Sequence, residues 1–252
     1  MHVAGVRIEV QSLGRRVKDG TWLWRQATFR VHAGHVVGVL GRNGSGKTTL
    51  LRTVLGLLRP DAGTVHAVAA MGYVPQVTQL ALPFAVRDVV GMGRVRHVRL
   101  FGGLAPADVR AVEIALERVG IAALAERSFL ELSGGERQLV LIARALAAEC
   151  EALILDEPFA SLDLDNQRRT LTLLGSLARH HDLSIVFAAH HPDHVLAIAD
   201  TVVILTRGEV PVCGPVDAVL TAQRLRHTYG VPVEILELPH AGRIRRYAVP
   251  LL

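Results

Sequence analysis

The sequence predicts an α/β fold with a mainly parallel sheet, and three observations indicate it. A short β-branched run over 36–40 leads through a glycine-rich loop into a helix-period stretch over 50–58. A second apolar run over 152–155 ends in two adjacent carboxylates. Beyond it, strand and helix patterns alternate as far as residue 205. Such alternation is typical of parallel strands covered by helices on both faces.

Composition suits one large domain or two small ones around an aliphatic core. Of the 252 residues, 50% are hydrophobic and 4% are aromatic. No apolar run reaches the ~18 residues that a membrane span requires. The first seven residues also lack the apolar core of a signal peptide. We therefore expect a soluble, intracellular protein.

The formal net charge of +5 does not by itself indicate a partner. The basic residues are scattered, apart from two local groups: Arg94, Arg96 and Arg99, and Arg243, Arg245 and Arg246. Aromatic residues do not alternate with them as they do on single-strand-binding surfaces. We therefore expect a solvated face and no nucleic-acid partner. Cys150 and Cys213 have neither metal spacing nor a disulfide pattern, and are expected to serve as small apolar residues.

The N-terminal part predicts an antiparallel β portion. Residues 3–10 and 28–39 alternate or run apolar, and a polar turn over 15–20 joins them. The breaker Arg59–Gly63 follows the first helix, and a short hairpin is expected between Gly63 and Gly72.

From about residue 77 to residue 150 the pattern becomes helical, which predicts a helical subdomain inserted between α/β segments. Its predicted helices are 86–92, 108–119 and most of 122–148. After it we expect a helix over 165–178, a strand over 184–188, a helix over 193–198 and a strand over 201–205. The tail beyond about residue 226 is expected to be a packed extension, with a regulatory or dimer contact as the alternative.

The glycine-rich loop fits the phosphate-binding pattern G-x-x-x-x-G-K-[ST]. Glycines allow successive N–H groups to point inward, and the following helix adds its positive end. Lys47 would reach the β- and γ-phosphates, and the Thr48 hydroxyl would bind Mg²⁺. A flexible turn with an exposed lysine is the alternative, which the flanking strand and helix disfavour. The candidate triphosphate-binding residues are Gly41, Asn43, Gly44, Ser45, Gly46, Lys47, Thr48 and Thr49.

Asp156 and Glu157 follow a buried strand and are therefore expected at the carboxyl edge of the sheet, where ligands bind in open α/β sheets. Asp156 is the expected Mg²⁺ partner. Glu157 is the expected general base for a water that attacks the γ-phosphate. A charged strand end entering a turn at Pro158 is the alternative.

Leu132–Glu136 precedes a helix expected to begin near Arg137. Ser133 and Glu136 have the spacing of a capping box, which is the simpler interpretation. A second anion site at the helix N-terminus is the functional one. One chain does not need two triphosphate sites, but a dimer does, if each second site closes on the partner's phosphate loop.

The order of these motifs resembles that in ATP-binding subunits of ABC transporters, over nearly the whole chain: Gly41–Thr49, Gln76, Leu132–Glu136, Leu153–Glu157, Ser161–Asp163 and His190. The resemblance implies the ABC ATPase fold with a P-loop NTPase core, binding ATP and Mg²⁺. It implies one domain, with the core at 1–76 and 151–225, the helical subdomain at 77–150 and an extension at 226–252.

The resemblance also assigns roles to residues outside the phosphate loop. Gln76 matches the glutamine that senses Mg²⁺ and the attacking water. Ser133, Gly134 and Gly135 match the segment that contacts the partner's γ-phosphate. Asp163 matches the loop that couples the two sites, and His190 matches the switch histidine.

One position departs from the family pattern. Val17, with Arg16 beside it, stands where an aromatic residue usually stacks on adenine. Trp22 is a candidate substitute, although Trp22 and Trp24 are expected mainly to pack within strands.

Within the family, Tyr73–Gln76, 82–94 and Tyr229–Pro232 are similar to importers of metal chelates such as iron–siderophore, haem, cobalamin or molybdate. Importers of zinc or manganese are the alternative, and a soluble ABC-type ATPase acting on nucleic acid or ribosomes is a more distant one. The resemblance implies a homodimer on the cytoplasmic face of the membrane, bound to an integral membrane permease and served indirectly by a solute-binding protein.

Overall fold

The computed structural model of the chain describes residues 5–76, 83–96, 103–240 and 242–251. Within these ranges the strands are β1 (Val6–Arg16), β2 (Trp22–His32), β3 (Val36–Leu40), β4 (Ala62–Ala67), β5 (Met71–Val74), β6 (Ala152–Leu155), β7 (Ser184–Ala189), β8 (Thr201–Ile204), β9 (Val212–Pro215), β10 (Val233–His240) and β11 (Arg243–Pro250). The α-helices are α1 (Lys47–Val54), α2 (Val86–Gly91), α3 (Pro106–Val119), α4 (Gly134–Ala147), α5 (Leu164–His181), α6 (Pro192–Ile198), α7 (Val216–Val219) and α8 (Ala222–Tyr229). None of the helices in the described ranges has the length and apolarity to cross a bilayer.

A six-stranded sheet forms the centre of the protein, in the order β5-β6-β7-β3-β8-β9. Its strands are parallel, except that β9 pairs antiparallel with β8. Because side chains alternate along a strand, β3 sends Val36 and Leu40 into one hydrophobic core and Val37 and Val39 into another. The sheet is therefore buried on both faces, and the predicted mainly parallel α/β class is confirmed.

The N-terminal β portion is a three-stranded antiparallel sheet in the order β2-β1-β4. β1 continues beyond the predicted end at residue 10, because a bulge at Ser12, with φ of 48°, interrupts the alternation without ending the strand. The single strand predicted over 28–39 is wrong. A turn at Gly34, with φ of 70°, separates β2 from β3 and carries the chain from one sheet to the other. Residues 3 and 4 of the first predicted strand lie outside the described residues.

The hairpin predicted between Gly63 and Gly72 is also wrong. β4 pairs with β1, whereas β5 pairs with β6 in the parallel sheet. A Cβ on Gly63 would lie 2.4 Å from the carbonyl oxygens of Gln11 and Ser12. Because Gly63 packs this closely against β1, β4 pairs with β1. The consecutive strands β4 and β5 therefore belong to different sheets.

The segment between β5 and β6 contains α2, α3 and α4, together with short 3-10 turns. The stretch over 122–148, predicted as mostly helical with interruptions at Ser128 and at 133–135, consists of two 3-10 turns, Ala122–Leu124 and Phe129–Glu131, followed by α4. α4 begins at Gly134, three residues before the predicted start, because Ser133 caps it in the expected capping box with Glu136. The proposed boundaries of the helical subdomain stay a prediction.

The C-terminal residues form α8 and an antiparallel hairpin of β10 and β11. Val233, Ile235 and Ala248 pack against the main core. The Ala248 N–H donates to Asp193 Oδ1 at 2.8 Å, in the first turn of α6. The expected packed extension is confirmed.

Arg94 is buried rather than part of a solvated face, which corrects the interpretation of the first basic group. Its guanidinium lies 2.9 Å from Asp108 Oδ1 at the start of α3, and donates to Ala147 O at 2.8 Å at the end of α4. It also lies 2.6 Å from the more exposed Glu149. A charged side chain with this many acceptors connects three helices at once. Arg99 lies outside the described residues.

Arg94→Met should lower the free energy of unfolding by about 3–5 kcal/mol, because it removes one partner of a buried ion pair. Denaturant unfolding measures this change. The matched control is Arg87→Met, which breaks an exposed ion pair with Glu126 and should lower stability by about 1 kcal/mol or less. Equal effects of the two substitutions would show that the Arg94 contacts do not support the packing of these helices.

Candidate active site

The glycine-rich loop leaves β3 near the middle of the six-stranded sheet and leads directly into α1. Gly44 and Gly46 have φ of 79° and 96°, which favour glycine. A Cβ on Gly46 would lie 2.6 Å from the Leu23 side chain and 2.7 Å from Trp24 Nε1. The loop therefore lies closely against β2. The unpaired N–H groups that begin a helix make this point of the fold suitable for an anion.

Lys47, the first residue of α1, folds back into the loop. Its side chain is 5% exposed, and its Nζ donates to Gly41 O at 3.0 Å. The same ammonium lies 3.2 Å from Glu157 Oε1. The lysine is thus held at the mouth of the loop by groups that an incoming phosphate could replace.

Thr48 and Asp156 meet where α1 begins and β6 ends. Thr48 Oγ1 donates to Asp156 Oδ1 at 3.1 Å. Burial raises the pKa of Asp156 above its usual value, while the Thr48 hydrogen bond opposes that change. A hydroxyl and a carboxylate are the hard oxygen donors that Mg²⁺ prefers, so these residues fit the metal. A bound cation would also offset the unfavourable burial of the carboxylate.

Glu157 lies among several of the residues to which the sequence assigns chemistry. Besides Lys47, it accepts a hydrogen bond from Gln76 Nε2 at 3.1 Å, and its Oε2 lies 3.7 Å from His190 Nδ1. Its backbone has φ of 49°, a strained value for a non-glycine residue. Strain of this kind persists where the surrounding structure holds it, as at ligand-binding sites.

His190 follows β7 and is held through its backbone. The Tyr229 hydroxyl of α8 donates to His190 O at 2.8 Å. Partial burial, followed by repulsion from the neighbouring His191, lowers the pKa of His190 below its usual value. The imidazole is therefore neutral at physiological pH, with one ring nitrogen able to donate and the other able to accept.

A cavity of about 420 Å³ opens over part of this cluster, and Asp156 and His190 are not among its lining residues. It is lined by the phosphate loop and the start of α1, together with Leu23, Gln76 and Glu157. Beneath the loop, Ser45 Oγ and Trp24 Nε1 are buried without a partner among the described residues. The cavity is thus polar, lined by a cation and donor groups, and has the size of a small-molecule site.

Ser133, Gly134 and Gly135 do not line this cavity. Ser133 is exposed at the N-terminus of α4, and Gly135 is buried under the Asn166 side chain, where a Cβ would lie 2.3 Å from its atoms. Asn166 donates to Asp163, which caps α5. The structure therefore places the second motif beside the Asp163 loop and outside the lining of this cavity.

Sequence patterns missed several contributors to the site. Leu23 lines the cavity and Trp24 supports the loop, but along β2 they resemble ordinary strand residues. In the sequence Tyr229 belongs to a segment similar to that of metal-chelate importers, which does not indicate its hydrogen bond to His190. Val17 packs partly buried against the N-terminal core, and the Arg16 guanidinium lies 4.3 Å from the centre of the Trp22 ring. Trp22 as a substitute for the adenine-stacking aromatic residue therefore stays a prediction.

A family model described as ABC transporter matches residues 24–160, more than half of the chain. "Molybdate import ATP-binding protein MolC" of Haemophilus influenzae is 36% identical over 244 residues, which cover 97% of this chain and 96% of that protein. "Cobalamin import ATP-binding protein BtuD" of Halobacterium salinarum is 38% identical over 96% of this chain, but the match spans only 62% of that longer protein. A solved structure described as an inward-facing conformation of a metal-chelate type ABC transporter is 35% identical, with a TM-score of 0.92 and 98% coverage of both chains.

Fold and site together define an ATP-binding ATPase built around a phosphate loop. The chain belongs to the ABC transporter family, in which such subunits are ATPases coupled to transport. The family resemblance and the predicted ABC ATPase fold are both confirmed.

Asp156→Asn should raise the free energy of unfolding of the nucleotide-free protein at neutral pH. Because the pKa of Asp156 is raised in the folded state, its ionised form opposes folding at any pH above that value. The amide can still accept from Thr48 without the charge. The advantage of Asn should shrink as pH falls through the raised pKa toward the ordinary value of 3.8.

Denaturant unfolding at several pH values tests this expectation, with Asp165→Asn on the exposed start of α5 as the control. A lower stability of Asp156→Asn at neutral pH would mean that the carboxylate stabilises the empty site.

Proposed function

We propose that the chain hydrolyses ATP in the cavity over Lys47, with Glu157 as the general base. The observation that carries the proposal is the position of Glu157, within 3.7 Å of Lys47, Gln76 and His190 at once. A base must lie within reach of the proton that it abstracts, directly or through one water. Glu157 lines the same cavity as the loop that would hold the phosphates.

The Lys47–Glu157 ion pair would be exchanged when a triphosphate enters. The ammonium, now shared between Gly41 O and Glu157, would turn to the β- and γ-phosphates. This exchange frees the carboxylate to accept the proton of the attacking water. Gln76, bonded to the other carboxylate oxygen, would orient the water.

His190 would donate one ring N–H to the γ-phosphate. Its lowered pKa keeps it neutral, so it contacts the phosphate as a hydrogen-bond donor rather than as a fixed cation. Mg²⁺, held by Thr48 and Asp156 with Gln76 nearby, would supply positive charge to the phosphate oxygens.

Two copies would bind head to tail, each triphosphate lying between Gly41–Thr49 of one chain and Ser133–Gly135 of the other. The exposure of Ser133 and its distance from the cavity lining support this arrangement. A helix N-terminus is suited to the γ-phosphate, and the Ser133 hydroxyl, which accepts from the Glu136 N–H, can still donate its own proton. Hydrolysis would remove the charge that holds the halves together, and the dimer would reopen.

The subunit would power an importer at the cytoplasmic face of the membrane, bound to an integral permease that receives solute from a binding protein. A metal chelate such as iron–siderophore, haem, cobalamin or molybdate is the proposed cargo. The 36% identity with a molybdate import subunit supports this, because the match covers 97% of the chain and so reaches into the C-terminal hairpin.

Glu157→Gln should reduce steady-state ATP hydrolysis by about 10²- to 10⁴-fold, because the amide cannot accept a proton from water. Nucleotide binding should persist, since Lys47 and the loop are unchanged. Phosphate release measures hydrolysis, and a fluorescent ATP analogue measures binding. Unchanged hydrolysis would assign the base elsewhere.

The same variant allows the dimer to be examined. With ATP, Glu157→Gln should accumulate as a dimer in light scattering, and adding Ser133→Arg should keep it monomeric. Ala123→Arg, at another exposed site of the helical region, is the control. Dimerisation that persists with Ser133→Arg would contradict the head-to-tail arrangement.

The tagged protein should co-purify with a multi-span permease from detergent-solubilised native membranes, as expected for an importer subunit. The binding protein belonging to that permease can then be screened by thermal shift against iron chelates, cobalamin, molybdate, zinc and manganese. Stabilisation by zinc or manganese alone would overturn the chelate assignment. Recovery with ribosomes or DNA and no permease would overturn the transporter role.

A further inference from the structure

The turn between Glu157 and Asp163 carries backbone strain near both ends. Glu157 has φ of 49° and Ser161 has φ of 61°, and neither is a glycine. Each such residue raises the energy of the fold and persists only where neighbouring groups hold it. The contacts that stabilise this turn therefore determine where Glu157 lies relative to the Asp163 loop.

One support is an aromatic contact in the middle of the turn. Phe159 is 4% exposed and lies edge-on to Phe187 of β7, with ring centroids 5.5 Å apart. Its other neighbour is His194 of α6, with ring centroids 4.4 Å apart. Since His190 lies between β7 and α6, the turn packs against elements on both sides of the proposed switch histidine.

The second support is a chain of side-chain hydrogen bonds. His194 Nε2 lies 3.1 Å from Gln167 Oε1, and Gln167 Nε2 donates to Leu162 O at 2.9 Å. Because the amide oxygen can only accept, the ring nitrogen must be the donor. His194 is 8% exposed, and burial lowers its pKa to about 4, so it remains neutral and keeps this donor role at physiological pH.

The two supports converge on one side chain. His194 contacts the strained turn through Phe159, and contacts the carbonyl beside Asp163 through Gln167. It lies four residues after His190, in the first turn of α6. A displacement of α6 would therefore pull on the Asp163 loop, which faces the same side as the exposed Ser133 motif.

We infer that His194 is a positioning residue that couples the γ-phosphate contact of His190 to the Asp163 loop through the Gln167–Leu162 hydrogen bonds. The inference rests on the proposed function, because it assigns the two ends of the connection to ATP hydrolysis. His194 is not among the residues that line the cavity. Its loss should thus change turnover while leaving nucleotide binding by a single chain in place.

His194→Phe tests the connection, since it keeps a ring against Phe159 and removes the donor to Gln167. We expect kcat for ATP to fall about five- to tenfold, the effect of one lost net hydrogen bond. The Hill coefficient for ATP should fall toward 1, because the two sites of a dimer would be less coupled. The affinity for a fluorescent ATP analogue should change by no more than about twofold. His194→Gln, which can still donate to Gln167, should restore kcat and the Hill coefficient.

Gln167→Met removes the same hydrogen bonds from the side of α5, where Gln167 is half-buried. It provides a second test in case His194→Phe does not fold. Its kcat should fall similarly, and the double variant should fall no further than either single one. His66→Phe, on the exposed face of β4, is the control for the substitution itself.

The inference is overturned if both single variants keep the wild-type kcat and Hill coefficient. It is also overturned if kcat falls only in proportion to the melting temperature and analogue affinity, which would indicate a structural role alone. Absence of ATP hydrolysis by the wild-type chain would instead refute the proposed function, so the two failures are distinguishable.

Discussion

The 3.2 Å ion pair between Lys47 and Glu157 joins the loop after β3 to the turn after β6. These strands are not neighbours, because β7 lies between them. The pair can form only because parallel strands all end at the same edge of the sheet, so that their loops converge there. β7 contributes its own end, carrying His190, to the same cluster. The arrangement of the site is therefore a consequence of strand order.

The site keeps charged groups buried at a cost to stability. Asp156 is 2% exposed with a raised pKa, and Glu157 is held in a strained backbone conformation. Neither feature helps the apo protein fold. Both are expected where a phosphate and a cation complete the electrostatics, because ligand binding then supplies the missing interactions. Lys47 partly relieves the imbalance by neutralising Glu157 until nucleotide arrives.

Residues outside the phosphate loop form hydrogen bonds with the segment 190–194, which contains the proposed switch histidine. Tyr229 bonds the His190 carbonyl, Ala248 bonds Asp193, and Gln167 bonds His194. The first two come from the C-terminal extension and the third comes from α5. The extension therefore contacts the region of the proposed γ-phosphate sensor directly, although no motif in it indicates nucleotide chemistry.

Features of this protein that depend on local residue spacing can be predicted from the amino-acid sequence alone. The phosphate loop follows from its glycines and flanking periodicities, the α4 capping box from the spacing of Ser133 and Glu136, and the carboxylates from the buried run before Asp156. The parallel α/β class followed from the alternation of strands and helices.

Only the tertiary structure decided which strands pair and which distant side chains meet. The separation of β4 from β5 depends on a close approach at Gly63, and the burial of Arg94 depends on three helices converging on it. The bonds of Tyr229 and His194 join residues 39 and 27 positions apart. Contacts of this kind arise from packing between elements, which short-range periodicity does not encode.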